Sequence, residues 1–339
     1  MEVVLKKTLA LSISIVVVGI AAVAFAQSKV PAADEPFWAW GWNSATEARP
    51  PAGAPADPTE KHTVPGSTLV VARAEITAYS PPDWFPADHP AAVPQIALHG
   101  DMQRMINACT FCHLPSGVGR AENSNISGLP VEYFKQQILE FKNGQRITSD
   151  PRKTNTNTMI GFAKAMTDDE VDQAAKYFAQ LKQPTDWFKV TEAATVPKTF
   201  GNGNWLVVAE GAAAGTEPIG SRIVETPVSP DDQEKWRNPH SGFNIYVPPG
   251  SIAKGKQLVE SGDNGRFTAC TVCHGADLRG VGPVPPLAGR SPSYIARQLY
   301  DIQKGNRNGP WTQLMKEAVA KLTVDDMVSI TAYLASRTP

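Results

Sequence analysis

The pentapeptide Cys-x-x-Cys-His occurs twice, as Cys109-Thr-Phe-Cys-His113 and Cys270-Thr-Val-Cys-His274, at an offset of 161. The same offset pairs Gly128 with Gly289, Tyr133 with Tyr294, Gln137 with Gln298, Gly144 with Gly305 and Arg146 with Arg307. Downstream the offset becomes 156 and pairs Met159 with Met315, Ala163 with Val319, Thr167 with Thr323, Asp169 with Asp325 and Tyr177 with Tyr333. One module has therefore been duplicated, and one loop is five residues shorter in the second copy.

The chain divides into a leader (1–26), a Pro- and Trp-rich segment (27–96), a first module (97–181), a second irregular segment (182–251) and a second module (252–339). In each module a short helix is expected before the Cys pair (98–108; 252–261), and a middle helix after Tyr133 or Tyr294. Phe134, Ile138 and Phe141, or Ile295, Leu299 and Ile302, fall on one face of that middle helix. A last helix opens on Thr167-Asp-Asp-Glu170 or Thr323-Val-Asp-Asp326, both with the spacing of a capping box. Such modules are small for a self-sufficient core; a buried apolar prosthetic group would supply the missing mass.

The chemistry of the pentapeptide says which group. Two thiols two residues apart can add to two vinyl groups on one porphyrin edge, while the adjoining imidazole reaches the iron. A redox dithiol would leave His113 and His274 without a role. A zinc site would be short of ligands, because the repeat puts each Cys-Cys-His set in its own module. The expected cofactors are two covalently bound haem c groups, held by Cys109, Cys112 and His113 and by Cys270, Cys273 and His274. Met159 and Met315 occupy equivalent positions, expected in loops before the last helices, and are the expected sixth ligands. His/Met iron has a high potential. Met166 aligns with Leu322 and reads as core.

Lys6 and Lys7, an apolar run from Leu9 to Phe25 and the ending Ala24-Phe25-Ala26 have the form of a secretory signal peptide. The run is also long enough to remain as a membrane anchor. Either form exports the remainder, so a periplasmic location, soluble or tethered to the inner membrane, is expected. The net charge of -1 excludes a nucleic-acid binder. Residues 27–96 carry four Lys/Arg against eight Asp/Glu, and six aromatics in PFWAWGW and PPDWF point to packing against another part of the chain. Strands are expected in TLVVARAEITAY (68–79) and NWLVVAE (204–210), and FNIYVPPG (243–250) is placed to brace the second module. His62, His89, His99 and His240 read as surface or hydrogen-bonded side chains.

On CTFCH, CTVCH, PPLAGRSPSYIARQL (285–299) and the Met-before-LTVDD ending, the chain resembles the dihaem class I cytochromes c of the cytochrome c4 kind, over about half its length. The resemblance implies a mainly α fold: two class I cytochrome c domains in tandem, here joined and preceded by long irregular segments. It also implies that the Pro285 carbonyl accepts from the ring N–H of His274, fixing its tautomer. The first module departs from the pattern, with Ser124 in the place of Pro285 and Ile126-Ser-Gly128 replacing Leu287-Ala-Gly289. By the same resemblance Tyr133, Tyr294, Arg146, Arg307 and Trp311 lie near the haem propionates.

The function expected is single-electron transfer between redox partner proteins. A cytochrome subunit of a dehydrogenase or oxidase complex, including a membrane-bound one, and a dihaem peroxidase are the alternatives. The second module carries 11 Lys/Arg against 7 Asp/Glu, and the irregular segments are acidic. An acidic partner steered to the second module by Arg279, Arg290 and Lys304 is one expectation. Internal neutralisation by the acidic segments is the other.

Overall fold

Each copy of the repeat folds as a set of helices around its Cys-x-x-Cys-His turn. The first holds α1 (Gln95–Leu98), α2 (Cys109–His113), α3 (Val131–Lys142), α4 (Asn155–Ala165) and α5 (Asp168–Ala179). The second holds α6 (Ser251–Gly265), α7 (Thr271–His274), α8 (Pro292–Gln303), α9 (Gln313–Val319) and α10 (Val324–Ala335). This computed structural model describes residues 35–48, 50, 57–120, 123–202 and 205–339. The leader lies outside the described residues. No helix among the described residues is long and apolar enough to cross a membrane.

Both capping boxes form. Thr167 N donates to Glu170 Oε2 at 2.8 Å and Glu170 N to Thr167 Oγ1 at 3.3 Å. Thr323 N donates to Asp326 Oδ2 at 2.9 Å and Asp326 N to Thr323 Oγ1 at 3.1 Å. Reciprocal bonds satisfy amides that the first helical turn leaves without partners. The glycine closing each proximal loop is also equivalent in three dimensions. Gly128 and Gly289 have φ of +65° and +64°, and their N–H groups donate to Phe178 O and Leu334 O, both at 2.9 Å. A side chain is disfavoured in that left-handed backbone.

Two local expectations are corrected. The helix expected over 98–108 stops after Leu98. Gly100 turns left-handed at φ +62°, and the Asp101 and Ile106 backbones then bond at 2.7 and 2.8 Å to close a tight turn. Met159 and Met315, expected in loops, lie within α4 and α9. The connection ahead of each last helix is itself coiled into a helix, which sets the methionine on a rigid element.

The segments between modules are more ordered than expected. Phe188–Glu192 runs parallel to Phe243–Val247, and Val224–Pro227 runs antiparallel along its other edge. Phe243, Ile245 and Val247 alternate inward along the central strand and join the second module's core, so FNIYV braces that module. In the 204–210 region Leu206–Val208 is a strand, paired with Thr199–Gly201. In the 68–79 region only Val71–Ala72 is a strand, against Lys61–His62, because a 3-10 turn begins at Arg73.

The aromatic lead is also structural. Trp38, Trp40 and Trp42 belong to the core cluster that includes α6, α8 and α10. Trp40 is fully buried, meets Tyr300 edge-on at 5.5 Å and donates from Nε1 to Thr148 Oγ1 of the first module at 2.9 Å. Arg297 donates to the Ala39 carbonyl. The described residues all belong to one compact unit.

Candidate cofactor sites and the module interface

His113 and His274 end their short helices, and both rings are buried. His274 Nδ1 lies 2.8 Å from the Pro285 carbonyl, as the resemblance implies. His113 Nδ1 lies 2.8 Å from the Ser124 carbonyl, eleven residues on in both cases. The departure at Ser124 therefore leaves the contact intact, since it is made by a backbone oxygen and not by the side chain that differs. With Nδ1 donating, Nε2 is the ring nitrogen that would carry a metal. Burial lowers the His274 pKa, opposed by the bond to Pro285 and reinforced by nearby Arg307, which favours the neutral ligand form.

The four cysteines form no disulfide. Burial pushes the Cys109 thiol up to about 12 and the Cys270 thiol up to about 11. A redox dithiol needs the opposite shift. Among the described residues no group of three or more His, Cys, Asp or Glu gathers at one place.

In the first module a cleft opens beside Cys109, Cys112 and His113, with about 1340 Å³ of empty space including solvent at its mouth. Met159 lines it together with apolar Phe134, Ile138 and Phe162. Its far wall is α8 of the second module, through Tyr294, Arg297, Gln298 and Asp301. Buried Lys153 also lines it, a residue that sequence reasoning missed. The available signal was its place in the loop that is five residues longer than its counterpart. A large, mostly apolar cleft with paired thiols and an imidazole at one edge and cations at another fits a haem. In the second module His274, Cys270 and Met315 recur, the last two packed against the core.

Tyr133, Arg146, Tyr294 and Arg307 meet at the interface between modules. Arg146 Nη2 donates to Tyr294 Oη and Gln298 Oε1, both at 3.0 Å, while its Nη1 donates to Gln137 Oε1 at 2.9 Å. Arg307 Nη2 donates to Tyr133 Oη and Gln137 Oε1, both at 2.8 Å, while its Nη1 donates to Gln298 Oε1 at 3.1 Å. The repeat thus makes a nearly two-fold junction in which each arginine reaches across to the other module. Trp311, 38% exposed, has its ring 6.5 Å from Tyr133.

Asp301 strengthens the junction by accepting from Ser149 N at 2.8 Å and from Ser149 Oγ. Burial raises its pKa to about 6, against the Ser149 bonds and nearby Arg297 and Arg146. The folded state then holds this proton more tightly than the unfolded chain does. Stability should fall as pH rises through about 4 to 6, by about 2–3 kcal/mol for this group. Asp301→Asn should flatten that part of the profile in chemical denaturation run across the window.

The two attachment turns differ in access. Val272 is 72% exposed and Cys273 is exposed, whereas Phe111 and Cys112 are partly buried. Arg237 stacks 3.5 Å from the Phe111 ring centroid and donates from Nη1 to Phe111 O at 2.8 Å. Phe111 also packs against a cluster containing Trp84 and Trp236, joined by a 2.6 Å bond from Trp84 Nε1 to Trp236 O. The acidic segments therefore cover the first turn. No motif announced Arg237 in this place. His62 stacks on Trp236, His89 bonds Asp83 and the Pro90 carbonyl, His99 bonds Tyr79 O, and His240 bonds Asp88. None of the four faces a Cys pair in these contacts.

Arg290, expected on a steering surface, is instead buried, as are Arg297 and Arg307. Lys254 and Arg266 pair with Asp325, Asp263 and Asp326. Arg279 and Lys304 remain exposed. Much of the second module's positive charge is thus held internally, because arginines at equivalent and neighbouring positions build the junction.

The family model for Cytochrome c matches residues 252–338. Cytochrome c4 of Pseudomonas aeruginosa is 33% identical over 230 residues, covering 67% of this chain and 82% of its own length. A thiosulfate dehydrogenase electron acceptor of Thiomonas intermedia is 25% identical over 257 residues, covering 74% of this chain and 84% of its own. Cytochrome c-552 of Acidithiobacillus ferridurans is 35% identical over 103 residues, 28% of this chain, and the match spans only 44% of that relative.

Proposed function

The chain belongs to the cytochrome c4 family, whose members carry covalently bound haem c, and from that premise we infer that it is a dihaem electron carrier, with one haem on each Cys-x-x-Cys-His turn, moving single electrons between redox partner proteins. The observation that carries this reading is the doubled proximal arrangement: two buried imidazoles, each with Nδ1 2.8 Å from a backbone carbonyl eleven residues on. Haem iron bound there would supply the one-electron chemistry. The chain's own residues do the rest. Cys109 and Cys112, and Cys270 and Cys273, would anchor the group, and His113, Met159, His274 and Met315 would supply its iron ligands. Tyr133, Tyr294, Arg146 and Arg307 lock the edges of the two modules together, and the cleft of the first opens onto α8 of the second.

The basic and apolar leader supports placing this exchange on the periplasmic side of a bacterial inner membrane, soluble or tethered. A stable association with a dehydrogenase is the second reading. The named role of the Thiomonas intermedia relative, an electron acceptor, points to a dehydrogenase as partner, and the covered first turn, which leaves fewer faces for free exchange, favours a lasting association.

The ligand assignment is tested in the oxidised holoprotein by the weak long-wavelength band that an iron–thioether bond produces. Met159→Ala and Met315→Ala should each remove about half of it, the share expected for one His/Met centre in two. High-spin iron at one site of the unaltered chain would overturn the assignment there and favour a peroxidase.

A further inference from the structure

The second module reaches into the first one's proximal loop. Arg290 follows Gly289 directly and is 5% exposed. Its guanidinium crosses the interface, Nη1 donating to Asn125 O at 2.9 Å and Nη2 to Ser127 O at 2.8 Å. Those carbonyls flank Ile126, and Asn125 is the immediate neighbour of Ser124, whose own carbonyl accepts from His113. The loop has further ties within its own module, from Ser127 N and Oγ to Asn125 Oδ1 at 2.9 and 2.6 Å and from Ile126 N to Gly117 O at 2.8 Å.

The corresponding loop of the second module is built differently. Pro285 and Pro286 stand where the first module has Ser124 and Asn125, and two rings restrict the backbone φ without outside help. The residue equivalent to Arg290 in the first module is Leu129, which can return no such clamp. The support is therefore one-way, and it falls on the loop that lacks prolines.

We propose that Arg290 is a positioning residue for the first iron site: by holding the carbonyls of Asn125 and Ser127 from the other module, it fixes the Ser124 carbonyl on His113 Nδ1 and so sets that imidazole's strength as a ligand. The inference rests on His113 being an iron ligand. A firm bond at Nδ1 raises the donor strength of the ring and favours ferric iron. Releasing the loop weakens that bond and favours ferrous iron at the first haem alone. The junction between modules then tunes one potential and not the other.

The test is spectroelectrochemical titration of the full-length holoprotein, the first haem being identified by its loss in Cys109→Ala/Cys112→Ala. Two covalent haems in the unaltered chain, and a changed low-spin spectrum in His113→Ala, secure the underlying reading; failure there counts against that reading separately. In Arg290→Leu the reduced-to-oxidised ratio of the first haem, at a fixed applied potential, should rise about three- to tenfold, or roughly 30–60 mV at 59 mV per tenfold. The second haem should hold its value. Arg290→Lys, which keeps a single donor group, should shift in the same direction by less, and it serves if the Leu variant folds poorly. Adding Ser124→Pro to Arg290→Leu should restore the first potential by stiffening the loop as in the second module. An unmoved first potential in both single variants, or an equal shift of both haems, would overturn the proposal, since the latter is what general loosening of the interface produces.

Discussion

Replacing Cys109 and Cys112 together by Ala should give protein with one covalent haem per chain, where two are expected in the unaltered chain, and the Cys270→Ala/Cys273→Ala pair should do the same from the other side. Pyridine haemochrome against protein concentration measures the ratio, and a ratio still at two would remove that turn from the assignment. The loss should extend beyond the cofactor. The first module's own cluster is modest, centred on Phe134, Ile138, Val171 and Phe178, and Phe134, Ile138 and Phe162 also line the cleft. Loss of a group that fills such a cleft forfeits packing along every wall. The first-module variant should therefore melt earlier and lose its α3 and α5 protection in hydrogen exchange. The second-module variant should retain more order, because Trp38, Trp40 and the strand Phe243–Val247 also build its core.

Trp40→Ala should cost about 3–5 kcal/mol, the range for emptying a large buried aromatic site. Trp40 has no exposed surface and touches both modules, through Tyr300 on one side and Thr148 on the other. Its loss leaves Thr148 without that donor and opens a void at the N-terminal side of the junction. The measurement is denaturant unfolding of the holoprotein followed by tryptophan emission and by haem absorbance. A change under about 1 kcal/mol would mean that the lead is a peripheral strap, contrary to its place in the core.

What could be read in advance was whatever depends on short-range chemistry. The Cys-x-x-Cys-His spacing and the Thr caps of α5 and α10 are local patterns, and they appear where expected. Ser124 shows a finer limit. Its side chain breaks the family pattern, but the contact uses the carbonyl, which any residue provides. Met159 and Met315 were legible as equivalent partners and not as helical residues, because their flanking segments lack a clear apolar period. Arg290 was misread as surface, since counting charges says nothing about where a guanidinium points. Arg237 on Phe111 was out of reach altogether: it joins positions 126 residues apart, and nothing in the spacing of either segment encodes the meeting.

The covering of the first attachment turn has a consequence for traffic. A protein arriving from solution finds Val272 and Cys273 open and Phe111 already occupied by Arg237. On the reading of one haem at each turn, charge is expected to enter by the open turn, and a second delivery is expected to wait until the first electron has crossed the Arg146–Arg307 junction. Two successive deliveries by one visitor would then be paced by that internal hop, with the acidic segments standing as a permanent occupant at the other turn.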